Sequence, residues 1–270
     1  MRTYKQVFSE LAEAKRAALI PFFVIGDPDF DTSLAIVEAA IDAGADILEL
    51  GIPFSDPIAD GPTIQKADIR AMTSGMNVQK GLEFVRKVKD YKDIPIGLLM
   101  YYNLIYQYGT EKFFNDFHQA GVNSVLVADL SIDDADEIVE PAVSAGLDTV
   151  FMVTPNTKPD RMELIASRTT GFIYTVSVLG VTGIREKLSD MVEGLVGKLK
   201  KLTSVPVCVG FGISKAEHAA MVVSAGADGV IIGSKIVGLI ESNLGSREKM
   251  LAEISTFLSE VKRAISPRTN

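Results

Sequence analysis

Short apolar runs alternate with helix-period segments along this chain. The runs fall at residues 19–24, 47–51, 96–100, 124–128, 149–153, 172–177, 206–209 and 229–232. They are continuously apolar rather than alternating, which marks strands buried on both faces, as in a parallel sheet. The segments between them, at 32–43, 78–91, 111–120, 133–145, 159–167, 188–202 and 215–225, repeat apolar residues at helical spacing. Leu82, Val85 and Val88 form one such face. Strands alternating with helices predict a parallel sheet. Eight such units in 270 residues predict an α/β fold, a closed (β/α)8 TIM barrel. An open doubly wound sheet is the alternative, but no Gly-x-Gly-x-x-Gly fingerprint follows the first strand.

A weak internal repeat supports serial β/α units. Residues 43–46, 120–123, 145–148 and 225–228 read AGAD, AGVN, AGLD and AGAD, each where a helix ends and a strand begins. Glycine there can take the left-handed position that closes a helix. Residues 1–18 carry charges throughout and read as an extra amphipathic helix before the barrel, without the apolar core of a signal peptide. Longer excursions follow strand 2 (62–77) and strand 6 (179–186), the second glycine-rich like a lid. No linker or composition shift divides residues 1–270, so one barrel domain is expected.

Composition narrows the function classes. The net charge is −8 and the pI about 4.9, against a nucleic-acid-binding surface. No apolar run reaches the ~18–20 residues of a membrane span. The single cysteine, Cys208, forbids an intrachain disulfide and lies in an apolar run, so it reads as a buried structural thiol. Together these point to a cytoplasmic enzyme or binding protein. The histidines, His118 and His218, lie far apart on helical segments and read as packed or solvated, so no metal site is expected.

The candidate chemistry gathers where strands end. Residues 48–61 read LELGIPFSDPIADG. Glu49 interrupts an apolar strand, where an ionised carboxylate without a partner is costly. It is either ion-paired with a basic residue or a functional group. Asp60 follows in the loop, and two carboxylates in different environments can hold different protonation states. Gly210-Phe211-Gly212-Ile213-Ser214 follows the seventh strand and Gly233-Ser234 the eighth, the usual phosphate position of these barrels. Thr182-Gly183 lies in the preceding loop. Phe22, Leu99, Tyr101, Tyr174 and Phe211, near strand ends, are either core or the walls of a slot for a flat aromatic ligand.

The stretch 48–61 resembles the signature of the tryptophan synthase alpha chain family, and the resemblance continues along nearly the whole chain. It implies retro-aldol cleavage of indole-3-glycerol phosphate to indole and glyceraldehyde 3-phosphate. Glu49 then corresponds to the general acid/base that protonates indole C3, and Asp60 to the acceptor of the indole N–H. The family's phosphate contacts correspond to Gly183, Gly212, Gly233 and Ser234, and its indole pocket to Phe22, Leu99, Tyr101, Leu126, Ala128, Tyr174, Phe211 and Ile231. Thr182 corresponds to the lid threonine that touches the catalytic aspartate.

The resemblance also implies a beta-chain partner in an αββα heterotetramer, met by Pro53, Asp56, Asn103 and Tyr106. Pyridoxal phosphate belongs to that partner, and no cofactor is expected in this chain. Two departures stand out: Val178-Leu179 before the lid glycine Gly180, where enterobacterial members carry Arg, and Tyr102 in place of a small residue beside Asn103. Three other readings remain: a free-standing indole-3-glycerol phosphate lyase, a non-catalytic phosphate-ligand-binding barrel, and a phosphosugar isomerase on the same fold.

Overall fold

In a computed structural model the apolar runs become strands of one parallel sheet, and the segments between them become helices outside it. The structure describes residues 1–176, 185–210 and 212–266, with side chains omitted over 185–190. The order begins α1 (Tyr4–Glu13), β1 (Ala18–Val24), α2 (Phe30–Asp42), β2 (Leu48–Gly51), α3 (Pro62–Thr73), α4 (Val78–Tyr91) and β3 (Ile96–Met100). It continues with α5 (Tyr102–Tyr108), α6 (Thr110–Ala120), β4 (Ser124–Val127), α7 (Asp136–Ser144), β5 (Asp148–Thr149) and β6 (Phe151–Val153). It ends with α8 (Pro159–Arg168), β7 (Ile173–Val176), α9 (Arg185–Leu202), β8 (Val207–Gly210), α10 (Ala216–Ser224), β9 (Gly229–Ile232), α11 (Ser234–Ser242) and α12 (Arg247–Ala264).

The strand order is β5-β4-β3-β2-β1-β9-β8-β7-β6. Its two ends are the halves of the run expected as a single fifth strand, split at Val150. The sheet therefore comes round to a nearly closed barrel, and chain continuity through Val150 bridges the seam. The excursion after β2 also differs from a plain loop: beyond Gly61 it forms α3, started by Pro62 at the first helical position.

The repeated helix-to-strand joints have a physical use in both halves of their motif. Gly44, Gly121, Gly146 and Gly226 all have φ between 88° and 108°, the left-handed region expected of them. The polar residue two places on then reaches the neighbouring strand. Asp46 accepts from the Leu19 N–H at 2.8 Å, Asn123 from Ile96 at 3.0 Å and Asp228 from Val207 at 2.8 Å. Each satisfies an N–H where a strand starts, a donor that would otherwise be buried without a partner.

Two apolar layers result. The larger lies between the sheet and its helices and includes Leu50, Phe84, Phe113 and Ile254. The smaller fills the barrel: Ala18, Ile20, Ile47, Leu126, Cys208 and Ile231 meet Tyr4, Val7 and Leu11 of α1. Helix α1 thus plugs the N-terminal end of the barrel, with the Tyr4 hydroxyl 2.7 Å from that of Ser124. Gly97 makes room for this: a Cβ there would lie 2.7 Å from the Tyr4 oxygen. The opposite end, where strands finish, stays open for ligands.

Candidate active site

Strand register sets the first site residue. Phe22 of β1, Glu49 of β2, Gly97 of β3 and Ser124 of β4 are successive partners across the sheet. Glu49 therefore points into the barrel, with no side chain at Gly97 to crowd it. It is 3% exposed and its Oε2 has no hydrogen-bond partner among the described residues. No ion pair to Glu49 occurs among them either, so the ion-paired reading has no support among the described residues. Burial alone pushes its carboxyl up to about 8, from an ordinary 4.5. At neutral pH Glu49 is a neutral acid facing a cavity.

Asp60 is built differently. It ends the β2–α3 loop, half-buried, and the Tyr101 hydroxyl donates to its Oδ2 at 2.6 Å. The same hydroxyl accepts from the Ala59 N–H at 3.0 Å, so one phenol pins the loop at two points. Burial raises the Asp60 carboxyl and the Tyr101 hydrogen bond opposes this by favouring the anion. The two carboxylates thus have contrasting surroundings: Glu49 buried in an apolar wall with no donor to its Oε2 among the described residues, Asp60 with a donor and an edge toward solvent.

Both open on a cavity of about 470 Å³ at the C-terminal end of the strands. Its apolar walls are Phe22, Leu99, Tyr174 and Ile231. Gly212, Ser214, Gly233, Ser234 and Lys235 also line it, where β8 and β9 end and α11 begins. Backbone N–H groups at the start of such a helix attract an anion. Gly212 has φ of 78°, and a Cβ on Gly233 would come within 3.1 Å of the Phe22 ring. Gly212 thus takes a backbone conformation that favours glycine, and a side chain at Gly233 would crowd Phe22.

The expected residues divide into three groups. Phe22, Glu49, Asp60, Leu99, Tyr174, Gly212, Ile231, Gly233 and Ser234 line the cavity together. Tyr101, Leu126 and Ala128 do not: Leu126 and Ala128 pack in the barrel interior beside Leu99 and Tyr174, and Tyr101 lies buried behind Asp60. Thr182, Gly183 and Phe211, with most of the expected lid, fall outside the described residues.

His218 departs from expectation. It stands on α10 and lines the cavity, its Nδ1 accepting from the Ser214 N–H at 3.5 Å. A histidine one turn into a helix, just after a glycine-bearing strand end, was the signal for it. Asp68, buried on α3, is a second polar residue outside the expected set. Cys208 is buried as expected, and burial drives its thiol far above the ordinary range.

A parallel barrel whose strand ends surround a cavity with a buried carboxyl, a second carboxylate held by a tyrosine and glycines beside a helix start has the form of a (β/α)8 barrel enzyme. Comparison with known proteins narrows the class. Residues 8–266 match the family profile described as Tryptophan synthase alpha chain. The chain is 45% identical to the tryptophan synthase alpha chain of Methanothermobacter thermautotrophicus, over 97% of this chain and 96% of that one. It is 42% identical to that of Salmonella paratyphi B, over 98% and 99%. Among solved structures, tryptophan synthase subunit alpha from Legionella pneumophila superposes with a TM-score of 0.90, at 30% identity and 98% coverage of both chains. The chain belongs to the tryptophan synthase alpha chain family. The family's enzymes are lyases that cleave indole-3-glycerol phosphate and pass indole to a beta subunit.

Proposed function

We propose that this chain cleaves indole-3-glycerol phosphate with Glu49 as proton donor and Asp60 as fixed anion. The observation that carries the reading is the contrast between two carboxylates on one cavity, one neutral by burial and one held by Tyr101. Carboxylates in such different surroundings can divide acid and base duties. The indole ring lies between Phe22, Leu99, Tyr174 and Ile231, and the phosphate rests on Gly212, Gly233 and Ser234. A cavity of this size suits a small phosphorylated aromatic.

Glu49 gives its proton to indole C3. The ring nitrogen becomes cationic, and its N–H donates to ionised Asp60, which stabilises the charge as it develops. The bond from C3 to the glycerol chain then breaks, its electrons return to the ring, and the adjacent hydroxyl becomes the aldehyde carbonyl. Its proton returns to the Glu49 carboxylate. Indole and glyceraldehyde 3-phosphate leave and Glu49 is neutral again.

The proposal extends to the assembly. Residues 1–270 work as one barrel unit, without a cofactor of their own. Asp56, Asn103 and Tyr106 stand exposed beside the mouth, with Pro53 buried under them. Ile58 is 84% and Tyr106 63% exposed, an apolar surface suited to a protein partner. That partner is a pyridoxal-phosphate-dependent beta chain in an αββα tetramer, in the cytoplasm. No helix of the described residues is long and apolar enough to cross a membrane.

The test is substrate cleavage by the purified chain and by Glu49→Gln, with binding of a phosphate ester followed in parallel. Binding retained with cleavage lost supports the assignment; turnover equal to wild type removes Glu49 from its role.

A further inference from the structure

Asp68 lies on the face of α3 that turns toward the barrel, away from water. It is 5% exposed, and its Oδ2 has no hydrogen-bond partner among the described residues. The backbone N–H of Phe54 is its one hydrogen-bond donor. Phe54 opens the loop that Asp60 closes, and its ring stacks on Tyr101 with centroids 4.9 Å apart. Tyr101 in turn donates to Asp60. A chain of contacts therefore runs from Asp68 through Phe54 and Tyr101 to the acceptor carboxylate.

Among the described residues no cation pairs with Asp68. Arg70, on the same helix, is committed to Asp27 through a two-pronged pair at 2.6 and 2.8 Å, and Lys66 reaches outward to Glu241 at 2.9 Å. The groups that act on Asp68 from other elements are the Asp60 and Asp27 carboxylates and the Tyr101 phenol, none of them basic. Two carboxylates this poorly solvated resist ionising together. Asp60 has a hydroxyl donor and partial access to water; Asp68 has one backbone N–H and a bare oxygen.

We propose that Asp68 is a positioning residue for Asp60: it anchors Phe54 and, by staying neutral, keeps Asp60 ionised under its Tyr101 hydrogen bond. This rests on the role proposed above for Asp60. Neutral Asp68 anchors Phe54 without repelling Asp60. When Asp68 loses its proton, repulsion acts on the loop that Phe54 and Tyr101 help to fix, and the acceptor carboxylate is displaced from its place. Burial and the Asp60 charge together bring the Asp68 carboxyl to about 7, within the working range of such an enzyme.

Asp68→Asn fixes the neutral form with the same shape. The expected result is an alkaline limb of kcat moved to higher pH, with turnover roughly tenfold above wild type near pH 8.5, where a group ionising near 7 is almost wholly charged. Asp68→Ala removes the anchor as well and lowers kcat more than it raises KM. A purely structural Asp68 gives altered melting temperatures but superimposable pH profiles, which overturns the proposal.

A second measurement needs no substrate. Carbon NMR of carboxyl-labelled aspartates, assigned by loss of signal in Asp68→Asn and Asp60→Asn, follows both groups directly. Asp68 should remain protonated at pH 6, and should titrate at lower pH once Asp60 is Asn, because the charge that raises it is gone. Asp68 ionised at pH 6, or an Asp68 midpoint indifferent to Asp60→Asn, also overturns the proposal. Absence of cleavage by the wild-type chain strikes at the proposed function, whereas the NMR titration decides Asp68 by itself.

Discussion

Replacing Glu49 by Gln separates the stability of this fold from its chemistry. The wild-type carboxyl ionises at about 8 in the folded chain against an ordinary 4.5. Its folded value is raised, so the sign is fixed. Below about pH 4.5 both folded and unfolded chains carry the proton, and burial of Glu49 costs no ionisation energy. As pH rises, the unfolded chain ionises first and gains free energy that the folded chain cannot match until about pH 8. Each pH unit in that window is worth about 1.4 kcal/mol. The upper bound is therefore roughly 4–5 kcal/mol, and relaxation with some water entry brings the expectation to roughly 2–4 kcal/mol.

Gln has no such cost. The stability of Glu49→Gln relative to wild type should grow steadily from about pH 4.5 to about pH 8 and then level off. Urea unfolding of both proteins at several pH values measures it, and comparing the pair cancels the other titrating groups. Indole release by the same samples should be nearly abolished. A stability difference flat with pH would mean that Glu49 is ionised in the fold, and the acid role would fall with it.

Asp60→Asn should lower kcat on the order of 10²-fold, the usual cost of a preorganised charge partner, and steady-state kinetics of indole release checks this. Tyr101→Phe removes the hydroxyl that ties Asp60 and Ala59 together; turnover should fall roughly tenfold, in line with one lost charged hydrogen bond. Gly210→Ala places a Cβ 2.5 Å from the Tyr174 hydroxyl; Tyr174 must leave the cavity wall, and KM should rise with little change in melting temperature. Gly97→Ala collides with Tyr4 under α1; overpacking of this kind costs about 1–3 kcal/mol, visible as a lowered urea midpoint.

Much of this architecture is written locally. Parallel strands show as unbroken apolar runs, and the joints around Gly44, Gly121, Gly146 and Gly226 repeat because every β/α unit needs the same left-handed closure. Glu49 is legible for the same reason: a carboxylate inside such a run contradicts its surroundings. The split at Val150 is not local, since it depends on the two ends of the ladder meeting there. Tyr101 reads as another wall residue, and only the fold brings its hydroxyl to Asp60, 41 positions earlier. Asp68 looks like the polar face of an amphipathic helix until α3 is seen with that face turned inward. His218 reads as packing until the start of α10 is placed at the rim of the cavity.

Indole release from indole-3-glycerol phosphate by the purified chain, alone and with its cognate beta chain, tests the central claim most directly. The account predicts slow release alone, strong activation by the beta chain, and loss of both in Glu49→Gln. Fast release indifferent to the beta chain would contradict the partnership while leaving the chemistry in place. No release under either condition would contradict the lyase itself.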